Sequence, residues 1–196
     1  MAKQLEFLYD IVSVPSYLAW TQLPAVTKET RARLVQTPVF CGGIFQATGN
    51  LGPLGVPAKQ KWYAGDLALW AKHLGVPLNS SPHWPIHSLP IMRGVFVAEE
   101  RGELEVYLKT MFEANFIHAR NLNEANEVRN TLVEAGLDAD TYFAEIQRDD
   151  IKARLRKNTD DAVARGAFGV PTFFVGDQMF FGQDRLHFVK EALKAS

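Results

Sequence analysis

Cysteine is nearly missing from this chain: Cys41 stands alone in 196 residues. One thiol allows no intramolecular disulfide and no cysteine-rich metal site. Cys41 follows a β-like run from Arg33 to Phe40, which places it as a small core residue. An excess of either charge is missing too. Lys and Arg number 21 against 22 Asp and Glu, a formal net charge of −1. That balance gives no electrostatic case for nucleic acid or anionic lipid as a partner. No apolar run approaches the ~20 residues of a membrane span. The amino-terminal residues lead directly into a strand pattern carrying Glu6 and Asp10, not into a signal peptide. A soluble, cytoplasmic protein is expected. The five histidines form no ligand pair, since His83 and His87 are four apart with Pro85 between them. No metal site, Ser-His-Asp constellation or phosphate loop can be assigned. What is present is an ordinary globular balance, 47% hydrophobic and 22% charged, long enough for one large domain or a domain with an insertion.

Leu5 to Tyr9 reads as a central strand, apolar on both faces apart from Glu6. Asp10 to Ser13 is its loop. Pro15 suits the first turn of a helix carrying Tyr17, Leu18, Ala19, Trp20 and Leu23, with Pro24 ending or kinking it. Leu34 to Phe40 is a second strand, so the start of the chain reads as a βαβ unit with a parallel pair. Residues 42–58 are rich in Gly and Pro and predict a loop. Apolar spacing at i, i+3, i+4 predicts helices over 62–74, 91–100, 103–116, 123–135 and 140–166, with Gly75 and Gly136 as stops and an irregular stretch at 78–90. The middle aromatics Phe112, Phe116, Tyr142 and Phe143 fit a core better than a cofactor box. Strand signals return at Thr172 to Val175 and Met179 to Phe181 around Gly176-Asp177, followed by a helix over 183–194. The order predicts an α/β fold, βαβ…ββα, split by a large helical insertion.

Two short segments carry the chemistry. Ser13-Val14-Pro15-Ser16 and Phe168-Gly169-Val170-Pro171-Thr172-Phe173-Phe174-Val175 are the two halves of a thioredoxin-like active site without its sulfurs. Ser13-x-x-Ser16 stands where a redox protein carries Cys-x-x-Cys, so thiol–disulfide exchange by the chain alone is excluded. Ser13 lies just before a helix amino terminus. It is either a plain N-cap or a hydroxyl donor to an anion that free N–H groups and the macrodipole also favour. A thiol brought from outside would be such an anion once ionised. Ser16 falls within the helix, where a structural role is favoured. Gly182-Gln183-Asp184 opens the last helix. Its N–H groups at Gln183 suit a carboxylate and Asp184 an ammonium, or Asp184 is an ordinary first-turn carboxylate.

These residues resemble the family of 2-hydroxychromene-2-carboxylate isomerases and kappa-class glutathione transferases, the glutathione-using branch of the DsbA-like thioredoxin superfamily. The segment Phe168 to Phe173, with Phe180-Phe181-Gly182-Gln183-Asp184-Arg185-Leu186, is similar to the family's FGVPTF…FFGQDRL signature. Tyr9-Asp10-Ile11-Val12-Ser13-Val14-Pro15-Ser16-Tyr17-Leu18-Ala19 resembles its (Y/F)DF-x-SP-(Y/F)-SYLA, with the proline moved by one. Thr48-Gly49-Asn50, Gly52-Pro53, Pro57-x-Lys59 and Asp66-Leu67 also fit. The resemblance implies a thioredoxin-like domain of residues 1–60 and 164–196 around an inserted helical domain, 61–163. It implies a cis bond at Val170-Pro171 and reduced glutathione as cosubstrate. Ser13 would be catalytic. Ser13, Lys59, Asp66, Val170, Phe181, Gly182, Gln183 and Asp184 would bind the tripeptide, although Lys59 and Asp66 read alone are solvated surface charges. It further implies an aromatic or conjugated carbonyl substrate, isomerised with glutathione regained, and a homodimer. A kappa-like transferase and a non-catalytic thioredoxin-like interaction protein are the alternatives. The naphthalene-pathway members carry a lysine and an Asn-Arg pair where this chain has Phe45 and Gly55-Val56, so the substrate side departs from theirs.

Overall fold

The computed structural model describes residues 3–79 and 81–195. Strand β1 (Gln4–Tyr9) runs through Asp10 and Ser13 into helix α1 (Val14–Trp20), with Pro15 in its first turn. Pro24 does not end that helix. The chain breaks at Thr21 and Gln22, and Pro24 lies in the first turn of a new helix, α2 (Leu23–Thr30), where its missing N–H costs nothing. Strand β2 (Arg33–Pro38) follows.

Residues 42–58 are a connection only over 49–56 and helical at both ends. Helix α3 (Cys41–Thr48) starts at the cysteine, ends at Gly49 in the left-handed region, and is followed by a 3₁₀ turn (Gly52–Gly55) and helix α4 (Pro57–Leu74). Propensity argues against a helix through Gly42 and Gly43, but packing overrides it. A Cβ at Gly43 would sit 3.1 Å from both the Phe40 ring and Thr159 Cγ2, so glycine is what permits this close approach. Cys41 is half-buried at the first turn rather than a core residue.

The helical block continues with α5 (Leu89–Arg101), α6 (Leu104–Phe116), α7 (Ala125–Glu134), α8 (Ala139–Glu145) and α9 (Asp149–Ala164). The single helix expected over 140–166 is therefore two. Arg148 is extended (φ −60°, ψ 139°), and Asp149 and Asp150 restart the helix with negative charge at its amino terminus. Strands β3 (Thr172–Val175) and β4 (Gln178–Phe181) form the hairpin, and a 3₁₀ turn (Gln183–Arg185) leads into α10 (Leu186–Lys194).

The sheet order is β2-β1-β3-β4, with β1 parallel to β2 and the other pairs antiparallel. Register sets Tyr9 against Pro38, Leu8 against Thr172, and Thr172 against Phe181. Thus the ends leading to Ser13, Cys41, Pro171 and Gly182 all lie at one end of the sheet. Alternation splits the interior. Leu5, Phe7, Tyr9 and Phe173 join a large core that includes α1, α5, α6 and α10, while Leu8 and Phe174 join a smaller one with Ile44 and Ala162. Phe112 links the layers, 5.1 Å from Trp20, 5.9 Å from Tyr17 and 6.4 Å from Tyr9 between ring centres. Phe112, Phe116 and Tyr142 are buried and Phe143 half-buried, in keeping with a core role.

Candidate active site

Ser13 caps α1. Its Oγ accepts from the Ser16 N–H at 3.2 Å and lies 3.4 Å from the Val170 carbonyl oxygen, to which it is the donor. The second contact is long, so the hydroxyl proton remains available to a better acceptor at the helix end. The loop beneath is fixed at each residue. Ser13 N–H donates to Asp10 O at 3.0 Å, Ile11 N–H to Met92 Sδ at 3.2 Å, and Asn115 Nδ2 to Ile11 O at 3.3 Å.

Asp10 is a residue whose role sequence reasoning missed. It is wholly buried, and its carboxylate accepts from Val12 N–H (3.1 Å), Cys41 N–H (2.9 Å) and Ser88 Oγ (2.9 Å). Burial raises its pKa to about 6, against the lowering by those three hydrogen bonds. The neighbouring Cys41 thiol is pushed far up, first by burial and then by the Asp10 charge. A thiol so placed is no nucleophile at neutral pH. The only local hint of this arrangement was an acidic residue at the end of an otherwise apolar strand.

Opposite Ser13, the Val170-Pro171 peptide is cis. Thr172 Oγ1 donates to Gly169 O at 2.8 Å, Asn50 Nδ2 to Phe168 O at 2.7 Å, and Gly182 N–H to Pro171 O at 3.0 Å. The Val170 N–H makes no hydrogen bond among the described residues. Gly182 adopts φ +105°, and a Cβ there would meet Asp184 Oδ1 at 2.5 Å. Asp184 is ion-paired to Arg185 at 2.6 Å, and Gln183 is buried beside it. Phe181 is half-exposed, with its ring centre 4.5 Å from that of Phe168 and its edge over Gly169.

From α4, Tyr63 and Asp66 turn toward the same end. The Tyr63 hydroxyl is pushed up to about 12, first by burial, then by the Asp66, Cys41 and Asp184 side chains. Asp66 and Asp184, distant in sequence, thus both act on one phenol. Lys59 lies on the same helix, one turn before Tyr63. It stands exposed in the first turn of α4 and makes no hydrogen bond or ion pair among the described residues. A cation at a helix amino terminus gains nothing from the dipole, so its place is not explained by helix stability. Phe45 lies near Gly52 and Gly169. An apolar cavity of about 230 Å³ sits apart in the helical block, lined by Tyr107, Leu132, Tyr142 and others but by none of the Ser13 or Val170 group.

The arrangement fits a thiol-bearing peptide. An unbonded N–H and a nearly free carbonyl at Val170 present a strand edge, a hydroxyl stands at a helix amino terminus across from it, and a glycine-only cradle at Gly182 lies alongside. A sheet end bearing Asp-x-x-Ser, a cis-proline and no cysteine pair defines a thioredoxin-type fold without its own redox centre. The chain belongs to the DsbA-like thioredoxin domain family, which it matches over residues 4–194. Among proteins of that class it is 30% identical to the 2-hydroxychromene-2-carboxylate isomerase of Sphingobium xenophagum, across 98% of this chain and 99% of that one. It is 24% identical to glutathione S-transferase kappa 2 of Caenorhabditis elegans, across 97% and 92%. A solved 2-hydroxychromene-2-carboxylate isomerase superposes with a TM-score of 0.85 at 24% identity, covering 96% and 93%, and shows the same fold. No helix among the described residues is long and apolar enough to cross a membrane.

Proposed function

We propose that this chain is a glutathione-dependent isomerase of the 2-hydroxychromene-2-carboxylate type, acting on an aromatic or conjugated carbonyl compound. The observation that carries the reading is the Ser13 hydroxyl at the amino terminus of α1, facing the open peptide edge of Val170. When bound, glutathione supplies the thiolate that adds reversibly to an electrophilic carbon and departs after a bond has rotated or a ring has opened. Ser13 donates to that sulfur while the α1 N–H groups hold it anionic. Val170 pairs with the cysteinyl peptide. Gly182, Gln183 and Asp184 receive the γ-glutamyl end beneath Phe181, and Asp66 and Lys59 complete the hold on the tripeptide's charged ends. A cytoplasmic homodimer belongs to the same reading, on the family resemblance. Phe45 near Gly169 and the absence of a cation at Gly55-Val56 favour substrates less acidic than 2-hydroxychromene-2-carboxylate itself.

Titration of thiolate absorbance in the glutathione complex tests the reading. The bound thiol is expected to ionise near or below pH ~7, where a free thiol is still mostly protonated. An unshifted thiol removes the mechanism even if the tripeptide binds. Turnover of a panel of carboxylated and uncharged chromene analogues then separates the outcomes. Glutathione recovered intact supports isomerisation, and glutathione consumed with a released conjugate identifies a kappa-like transferase.

A further inference from the structure

Asp10 is an ion in the interior with no cation beside it. Among the described residues no lysine, arginine or histidine pairs with it, and its partners are three donors from three segments: Val12 in the loop to Ser13, Cys41 at the start of α3, and Ser88 just before α5. The other groups acting in this region are the Tyr9 phenol on β1, on which the Glu99 charge of α5 acts, the Cys41 thiol on α3, which acts on Tyr63 of α4, and Asn115 of α6 on the Ile11 carbonyl. His87, exposed, precedes Ser88 in the chain. Burying a charge without a counter-ion opposes folding, so stability alone does not account for a carboxylate here. Its geometry does. One oxygen holds Val12, the residue before Ser13; the other ties that loop to the openings of two helices distant in sequence. Both oxygens act as acceptors, a capacity that only the ionised carboxyl retains in full.

We propose that Asp10 is the positioning residue of the site, and that its ionised carboxylate holds the Ser13 hydroxyl in place opposite Val170. The inference rests on the proposed role of Ser13 for its functional meaning, but not for its structural content. On protonation the oxygen that carries the proton can donate only to the Ser88 hydroxyl, which must then reverse its bond, while the hold of the carboxyl on the Val12 and Cys41 N–H groups weakens and the 10–13 loop loosens from α3. The high pKa of the buried group puts that change within a mildly acidic range.

The experiment is nuclear magnetic resonance of the full chain from pH 8 to pH 5, with Asp10→Asn and Ser88→Ala beside the wild type. The amide resonances of Val12, Ser13 and Cys41 are expected to move together with one midpoint near pH 6. In Asp10→Asn that shared titration disappears. In Ser88→Ala the midpoint moves up, because a donor to the ionised form is gone. Turnover with glutathione in Asp10→Asn is expected to fall about 10²-fold through kcat with KM for glutathione little changed, as a slight misplacement of a reacting group does, while the melting temperature at pH 7.5 holds or rises. Flat amide shifts in the wild type, or full turnover by a folded Asp10→Asn, would overturn the proposal. If Asp10→Asn does not fold, the Ser88→Ala midpoint and its kcat decide. If the wild type binds no glutathione, the proposed function fails, and the amide titration still decides whether Asp10 holds the loop.

Discussion

Ser13 does two things with one oxygen. It accepts from Ser16 N–H as the cap of α1 and donates across to Val170, so substitution must register in both stability and activity. Ser13→Ala is expected to cost about 1 kcal/mol by loss of the cap. Activity should fall by ~10²-fold or more, since a single donor to a resting or developing anion is worth that much. Urea denaturation and steady-state rates on the same preparation separate the two effects. Activity within twofold of wild type would reduce Ser13 to a cap. Ser13→Thr keeps both oxygen and proton, so it should recover the cap and part of the rate. The residues around Ser13 differ in what they reveal locally. A serine before Val-Pro is legible as a cap in any sequence. Asp10 is not, because its partners Cys41 and Ser88 are 31 and 78 residues away.

Among the elements, α5 and α6 show how closely the helical block is fitted. Tyr107 of α6 lies over Gly94 of α5, donates its hydroxyl to Ile91 O at 2.7 Å, and stacks on Tyr142 with ring centres 5.1 Å apart. A Cβ at Gly94 would fall 2.1 Å from the Tyr107 hydroxyl oxygen. Gly94→Ala must therefore displace the ring, orphan a buried hydroxyl and disturb the stack. Overpacking at about 1–3 kcal/mol and a lost buried hydrogen bond at about 1–3 kcal/mol together predict a drop of roughly 3 kcal/mol in urea unfolding. The double variant Gly94→Ala/Tyr107→Phe removes the nearest atom and should regain part of it. No recovery would mean that the ring, not the hydroxyl, is the obstacle. At the sheet end, parallel pairing of β1 with β2 and antiparallel pairing with β3 turn separate sequence segments into neighbours. Gly182 completes that end with a backbone conformation that a residue bearing a Cβ rarely adopts.

Across the whole molecule, one hydrophobic core runs from the sheet into the helices between α4 and α9. The expected boundaries of the inserted domain, after residue 60 and before 164, fall within α4 and at the last residue of α9. We expect a single cooperative unfolding transition, seen coincidently by fluorescence and far-ultraviolet dichroism. Two separated transitions would show that the insertion folds as its own unit. The pH dependence carries the mark of Asp10. Its folded pKa, about 6, lies above the ~3.9 of an unfolded chain. A raised folded pKa means that its stabilising contribution is complete below pH ~4 and is lost as pH rises through 6. At neutral pH the ionised group then costs on the order of 3 kcal/mol. Urea midpoints at pH 4 and pH 7.5 should show Asp10→Asn gaining on wild type as pH rises. A constant difference would contradict the linkage. The sequence alone determined the order of the strands, the ends of helices at Gly75 and Gly136, the hairpin at Gly176-Asp177, and the two segments that face each other as Ser13 and Val170. Each of those signals is written within a turn or a strand, as a cap, an obligate glycine or a period of apolar residues. Only the tertiary structure decided that Gly42 and Gly43 lie in a helix, that residues 140–166 break at Arg148, and that Asp10, Cys41 and Ser88 share one carboxylate. Close packing on Thr159 and a hydrogen bond spanning 78 residues are set by where distant segments meet in space, and no local pattern of residues records that.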